Sequence, residues 1–287
     1  MHARTLVAIG ALFAGRALAS DPIPAGGIPD IVGPRTLGIS AAIGLPAGND
    51  GLYVNPGAIA ARKRYSVETG LLVDRRGAAT VDRFLGGSVV DSTAASSPVT
   101  AGVSYLRAQE GTYTGNVVHG ALAGPIMEGF FLGVAGKWLS VDGPRSISAA
   151  TVDVGVLWQV ADLVSVGGAG YNLVPIGNDD VAPRGAGAGV AIGSDRSFQI
   201  TGDWRTDLER AGKATNRYAA GAEVLLGSLV PIRAGFMKDE TLDTRWWSIG
   251  AGLVAKNGVA IDVGYRQSID APTSRTIAAT LKVFLFQ

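Results

Sequence analysis

The sequence predicts an all-β protein: a transmembrane antiparallel β-barrel of about 14 strands with an amino-terminal hatch or plug segment. Three observations favour this class: apolar residues that alternate with a period of two, a secretory leader, and the lack of any later apolar run of about 18 residues. Successive strand residues point to opposite faces, so each segment has one apolar face and one small or polar face. Strands cross a bilayer only as a closed barrel, because closure pairs every backbone polar group.

The alternation is clearest at the carboxyl end of the chain. Val259, Ile261, Val263 and Tyr265 alternate with small or charged residues, and the pattern recurs over residues 277–285. Because it continues almost to the last residue and also occurs upstream, we interpret the apolar face as lipid-facing and the other face as lumen-facing. A soluble periplasmic β-protein is the alternative, since a sandwich can show the same pattern over one or two strands.

Residues 1–19 have the layout of a secretory signal peptide. Arg4 precedes a short apolar core, and Ala17 and Ala19 form a small-x-small cleavage site. We expect cleavage after Ala19. With an exported β-barrel to follow, the sequence predicts localisation in the bacterial outer membrane.

Composition agrees with a barrel and excludes several other classes. Charged residues make up 17% of the chain, below the roughly 25% of ordinary soluble domains, yet no long apolar block replaces them. The 41 glycines concentrate inside the alternating segments, as at residues 185–189, where inward positions crowded by other chain would favour them. A net charge of +1 gives no reason to expect a nucleic-acid partner. The absence of cysteine excludes disulfides and thiolate metal sites.

Residues 20–64 form the predicted hatch. The stretch contains six prolines up to Pro56 and lacks sustained alternation, so neither a central strand nor a long helix fits through most of it. A short amphipathic piece fits at residues 52–61. The apolar content of the stretch is too high for a simple linker, so we expect it to fold into the lumen.

The barrel is predicted over residues 65–287. An even strand number places both chain ends on one side, which we take as periplasmic, with short turns there and longer loops outside. The fourteen expected strands lie at approximately residues 65–73, 80–89, 98–106, 115–123, 130–141, 148–158, 163–173, 185–192, 198–205, 217–226, 230–237, 245–254, 259–267 and 275–286.

Charged residues within the strands fall mostly on the face opposite the apolar one. Counting back from the turns places Glu223 opposite Arg233 and Lys137 opposite Asp153. We expect such charges to pair structurally across strands rather than to contact substrate. The rest of the lumen face is expected to be Gly, Ala, Ser and Thr. The predicted lumen charges are Lys137, Asp153, Asp203, Arg205, Glu223, Arg233, Asp262, Arg266 and Lys282.

Aromatic residues on the apolar face support a membrane interface. Trp138, Trp158, Trp204 and Trp247 fall near strand ends, where amphipathic rings sit at the boundary between lipid and water. Tryptophans in the core of a soluble sandwich would be the alternative explanation.

Motifs for catalysis or metal binding are missing from the sequence. His119 is the one histidine beyond the leader and has no clustered carboxylate, so we interpret it as a bystander. The sequence contains no nucleophile elbow and no paired-carboxylate site. We therefore expect no enzyme, no cofactor and no metal.

Two stretches near the amino terminus resemble the start of the FadL-like and PorV-like outer-membrane barrels. They are residues 35–44 (RTLGISAAIG) and 49–60 (NDGLYVNPGAIA), which match an Arg-x-x-Gly-rich stretch, an acidic residue and an aromatic-x-Asn-Pro motif. The hatch motif here comprises Asp50, Tyr53, Asn55, Pro56 and Gly57. Residues 133–139, 170–173, 221–223 and 232–236 resemble later strand motifs of these families.

The resemblance implies a barrel of about fourteen strands with a plugged lumen. It implies passive transport of small hydrophobic molecules, fatty-acid-like in character, gated by movement of the hatch. The alternative is a scaffold that transports nothing and binds a secretion or envelope partner. The implied partners are outer-membrane lipid and either a hydrophobic small-molecule ligand or an envelope protein.

Overall fold

The computed structural model describes residues 33–76, 80–93, 98–110, 113–143, 146–177, 181–209 and 213–285. These residues form a closed barrel of 14 antiparallel strands in sequence order, which confirms the predicted fold class and strand number. The proposed signal peptide and the first part of the predicted hatch, residues 20–32, lie outside the described residues. The strands are β1 (Tyr65–Arg76), β2 (Thr80–Asp91), β3 (Thr100–Glu110), β4 (Tyr113–Met127), β5 (Phe130–Asp142), β6 (Ile147–Ala161), β7 (Val164–Tyr171), β8 (Gly185–Gly193), β9 (Phe198–Asp207), β10 (Thr215–Leu226), β11 (Val230–Asp239), β12 (Thr244–Val254), β13 (Val259–Ser268) and β14 (Arg275–Leu285).

Closure depends on pairing between the first and last strands. β1 and β14 pair continuously from Tyr65 with Leu285 to Arg75 with Arg275, so the sheet has no free edge. Several strands extend beyond their predicted bounds; β3, for example, ends at Glu110 rather than at residue 106. The reason is that residues near the rim are polar on both faces, so hydrophobic alternation stops before backbone pairing does.

The outward face is apolar and the inward face is buried. Exposed outward side chains include Leu85, which is 58% exposed. The predicted tryptophans lie on this face: Trp138, Trp158 and Trp204 are exposed and Trp247 is half-buried. A barrel embedded in lipid requires apolar side chains around its whole outer surface.

The two ends of the barrel differ in their connections. We call the end where β1 begins and β14 ends the terminal end, and the opposite end the loop end. The longest connection at the loop end joins β7 to β8 through residues 172–184, whereas β8 and β9 are joined at the terminal end by residues 194–197. These connections alternate between the two ends as the sequence predicts; the assignment of the ends to periplasm and exterior stays a prediction.

Residues 33–64, which we call the amino-terminal segment, precede the first strand. They contain α1 (Pro34–Ile39), α2 (Gly51–Val54) and a 3₁₀ helix (Pro56–Ala61). Pro34 suits the first position of α1, and Ser40 ends the helix with a left-handed φ of 62°. No helix in the described ranges is long and apolar enough to cross a membrane.

The amino-terminal segment runs along inward-facing glycines that pair directly across neighbouring strands. Gly221 pairs with Gly235, and a Cβ added at Gly235 would lie 2.7 Å from the carbonyl carbon of Ile39. A Cβ at Gly189 would lie 2.7 Å from the amide nitrogen of Gly44. The backbone of the segment therefore touches the backbone of the wall. The other directly paired glycines of this belt are Gly250 with Gly264, Gly167 with Gly189, and Gly133 with Gly155.

Replacement of Gly221 by Ala is expected to displace the amino-terminal segment, because the added Cβ would clash with the carbonyl of Ile39. Overpacking of this kind destabilises by about 1–3 kcal/mol. Urea unfolding in detergent, with protease cleavage mapped within residues 33–64, measures the effect. Gly136→Ala is the matched control, since a Cβ there meets nothing within 4 Å. Equal behaviour of the two variants would contradict the glycine argument.

Candidate functional site

Asn55 ties three parts of the molecule together. Its side-chain amide nitrogen donates to the carbonyl of Ile43 and to the carbonyl of Val156 on β6, both at 2.9 Å. Its Oδ1 accepts from the backbone nitrogen of Gly57 at 3.1 Å and so caps the 3₁₀ helix. The Asn-Pro-Gly sequence thus fixes a turn within the segment and attaches that turn to the wall.

The other predicted hatch-motif residues lie around Asn55. Pro56 packs against Gly155, because a Cβ added at Gly155 would lie only 2.7 Å from the Cδ of Pro56. The ring of Tyr53 contacts His119 edge-on, with ring centroids 4.6 Å apart. Burial raises the pKa of Tyr53, which keeps its phenol neutral. Asp50 is buried at the start of α2.

A chain of buried ion pairs begins in the amino-terminal segment and runs along the inner face of the barrel from strand to strand. Arg35 donates to both carboxylate oxygens of Glu223, at 3.2 and 3.0 Å. Arg233 also binds Glu223 and reaches Asp262 at 2.7 Å. The register pairs Glu223 with Arg233 directly, which confirms the position predicted by turn counting.

The chain of ion pairs continues to β14 and β1 and balances its charge. The Lys282 ammonium lies 3.7 Å from Asp262 and 3.2 Å from Glu68. The ladder therefore alternates three cations with three anions: Arg35, Glu223, Arg233, Asp262, Lys282 and Glu68. Burial by itself would lower the pKa of Arg35, but the Glu223 carboxylate outweighs burial and raises it. Such pairing is what buried charges need in order to be tolerated.

Three further predicted lumen charges bind neighbouring groups of the protein. Asp203 accepts from the backbone nitrogens of Ala42 and Ile43 in the amino-terminal segment, at 2.6 and 2.8 Å. The guanidinium of Arg205 lies 4.0 Å from the ring centre of Tyr171. The guanidinium of Arg266 lies 4.6 Å from the ring centre of Trp246, which faces the lumen.

Lys137 and Asp153 hold the longest loop of the loop end. The two side chains form an ion pair at 2.7 Å, but the direct opposition predicted for them is wrong by two residues, because Lys137 pairs with Thr151. The hairpin is centred on residue 144, as the pairing of Val141 with Ile147 shows, whereas opposition of Lys137 and Asp153 would need a centre at residue 145. Asp153 accepts the backbone N–H of Asn172, whose side chain donates to the carbonyl of Pro183.

The lumen face of β1 to β5 carries a patch of large apolar residues, and the buried Asp74 and Asp82 lie on the loop-end side of it. This corrects the expectation that Gly, Ala, Ser and Thr fill the lumen face between the charges. At these positions, as at Leu71 and Leu72, the strands are apolar on both faces, so the sequence alone does not reveal there which face is inside. Val181 and Ala182 of the 172–184 loop pack against this surface. We call the strand residues the apolar wall: Leu72, Phe84, Leu106, Val117, Leu139 and Val141.

The cavities that described residues line within the lumen are small. A cavity of about 30 Å³ lies beside Tyr53 and Phe84, and one of about 50 Å³ lies beside Ile43 and Tyr171. Neither holds more than a few water molecules. A larger cavity of about 730 Å³ opens at the terminal end beneath the segment, where burial and the neighbouring Arg62 lower the pKa of Arg64 to about 10.

Sequence reasoning missed two members of the ion-pair ladder. Glu68 lies on the polar phase of β1 between Ser66 and Gly70, so the alternation could have identified it. Arg35 could not have been assigned to Glu223 by any local signal, because the two residues are 188 positions apart.

Comparison with known proteins identifies the fold. No family model and no curated protein matches the sequence. Among solved structures, the chain is similar to the toluene transporter TbuX of Ralstonia pickettii (TM-score 0.66, 10% identity, 91% of this chain and 98% of that one). It is also similar to the CymD monoaromatic hydrocarbon channel (TM-score 0.64, 14% identity, 88% and 97%). A FadL homologue of Pseudomonas aeruginosa gives a TM-score of 0.64 at 11% identity, with 91% and 98% covered. The fold is that of the FadL-like outer-membrane barrels.

Loss of Glu223 is expected to be more destabilising than loss of Arg35. Glu223→Gln leaves Arg35 and Arg233 facing each other without their shared carboxylate, at about 3–5 kcal/mol. Arg35→Met leaves Glu223 bonded to Arg233 and Gln199, so about 1–3 kcal/mol is expected. Urea unfolding of both variants gives the order. The reverse order would show that the ladder is not held by Glu223.

Asn55→Asp tests the direction of the hydrogen bonds at the hatch motif. Aspartate keeps the shape of asparagine but turns an oxygen toward the carbonyls of Ile43 and Val156. We expect it to destabilise the segment at least as much as Asn55→Ala, by about 1–3 kcal/mol. Protease cleavage within residues 33–64 provides the measurement. An Asn55→Asp variant as resistant as the native protein would rule out the donor role.

Proposed function

We propose that this protein is a passive channel that carries small hydrophobic molecules across the bacterial outer membrane. The observation that carries the proposal is the apolar wall on β1 to β5, which offers apolar solutes a surface inside an otherwise charged lumen. The names of two neighbours, a toluene transporter and a monoaromatic hydrocarbon channel, support a hydrophobic cargo. We assign the protein no enzymatic activity, cofactor or metal.

The proposed orientation follows from the leader and the ends of the chain. Export directed by residues 1–19 would leave the terminal end in the periplasm and the loop end outside. A hydrophobic molecule would then arrive beside the 172–184 loop, where Val181 and Ala182 cover the apolar wall. It would leave through the cavity at the terminal end.

Transport through this route requires movement, because the lumen cavities are too small for a solute. We propose that the amino-terminal segment is the hatch and that its displacement opens the route. Polar contacts at Asn55, Asp203 and Arg35 hold the segment, whereas the strands are joined by continuous ladders. The amino-terminal segment can therefore move without breaking the hydrogen bonds between the strands of the barrel.

A disulfide between the segment and the wall tests the hatch. The hydroxyl oxygens of Ser40 and Ser248 lie 2.8 Å apart, and the native chain has no cysteine. Since Tyr65 is already fixed in β1, a Ser40→Cys/Ser248→Cys disulfide would anchor the segment at both ends. We expect oxidation to reduce uptake of toluene and oleate, by cells carrying the protein in their outer membrane, to the level of cells without it. Reduction should restore uptake.

The single variants Ser40→Cys and Ser248→Cys are the controls, because they carry the same chemistry without a cross-link. Undiminished uptake by fully cross-linked protein, verified by mass, would overturn the hatch. The small size of the two described lumen cavities favours a second candidate, a scaffold that binds an envelope protein and transports nothing. Uptake equal to that of cells lacking the protein, together with one recurring envelope partner, would establish the scaffold instead.

A further inference from the structure

Four arginines form a stripe on the outward face at the loop end. They occupy four consecutive strands, one on each of β14, β1, β2 and β3. Arg275 and Arg75 are directly opposite each other. Arg83 pairs with Val73, two residues from Arg75, and Arg107 pairs with Leu85, two residues from Arg83. We call these four residues, Arg275, Arg75, Arg83 and Arg107, the arginine stripe.

Three of the four arginines are not neutralised by the described surface around them. Asp91 is the one carboxylate on the outward face of these four strands within the described ranges, and it lies near the terminal end, where it accepts from Thr93. Arg83, Arg107 and Arg275 are exposed, and their side chains form no ion pair with any described residue. An external anion would therefore neutralise these three cations.

The stripe lies where the lipid-facing band ends. On each strand, the next outward-facing residue toward the middle of the membrane is apolar or aromatic. Examples are Leu85, two residues from Arg83, and Tyr105, two residues from Arg107. Leu85 is 58% exposed and Tyr105 is 45% exposed. Aromatic and basic side chains at such a boundary lie at the depth of the lipid headgroups, where a cation carries little penalty. The anion that meets the stripe at this depth is a lipid headgroup.

We propose that the arginine stripe binds a lipid headgroup carrying two phosphates, namely the diphosphorylated glycolipid of the leaflet around the loop end. Guanidinium groups bind phosphate through two parallel hydrogen bonds, which makes arginine the suitable residue. Three strand spacings of about 4.8 Å separate the outer members by roughly 14 Å, a span too wide for one phosphate. The assignment rests on the proposed outer-membrane orientation and is independent of transport.

Native mass spectrometry of the full chain in detergent tests the assignment with defined lipids. We expect diphosphoryl lipid A to bind about tenfold or more tightly than its monophosphoryl form, cardiolipin or phosphatidylglycerol, because only the first places two phosphates on one rigid headgroup. Arg83→Gln/Arg107→Gln should abolish this preference. The matched control is Arg196→Gln/Lys256→Gln, which removes two cations from turns at the terminal end and should retain it.

The outcomes separate the proposal from its rivals. Equal binding of the mono- and diphosphoryl forms, an equal loss in both double variants, or a preference for cardiolipin would each overturn it. An unchanged unfolding midpoint in urea shows that the arginine variants still fold. Because binding is measured in detergent, a failure of transport in cells leaves the result unaffected.

Discussion

The close contact between the amino-terminal segment and the paired glycines of the inner wall is the constraint on which the rest of the structure depends. Glycine weakens an isolated strand, but pairs such as Gly221 with Gly235 leave room for the backbone of Ile39 against the wall. Barrel closure offsets that weakness, since no strand is left as an edge. The segment then occupies the middle of the lumen, and the cavities that remain there are small.

Filling the lumen in this way buries charged side chains, and the ion-pair ladder neutralises them. Arg233 and Lys282 each lie between two carboxylates, Arg35 pairs with Glu223 at the end of the ladder, and the sequence of charges is neutral as a whole. Gly252, directly opposite Asp262 on β12, has no side chain, and a Cβ there would collide with the Asp262 carboxylate that binds Arg233. Glycine therefore serves both the packing of the segment and the electrostatics beneath it.

The inner surface is divided into two chemical regions. The ladder runs across β10, β11, β13, β14 and β1, whereas the apolar wall occupies β1 to β5 toward the loop end. A hydrophobic solute would be stabilised by the second region and excluded from the first, because desolvating paired charges is unfavourable. This asymmetry makes a route along β1 to β5 the physically reasonable one, with the 172–184 loop and the amino-terminal segment as its two barriers.

The sequence by itself determined the class, the fourteen strands, their inward and outward faces away from the apolar wall, and the pairing of Glu223 with Arg233. Those features depend on period-two alternation and on turn lengths, which are local. The tertiary structure alone decided that Arg35 joins Glu223, that Asn55 reaches the carbonyl of Val156, and that Lys137 is displaced by two residues from Asp153. It also decided that the wall near Phe84 is apolar inside as well as outside. These contacts join residues distant in sequence, or depend on the register of one hairpin, and closure of the barrel sets both.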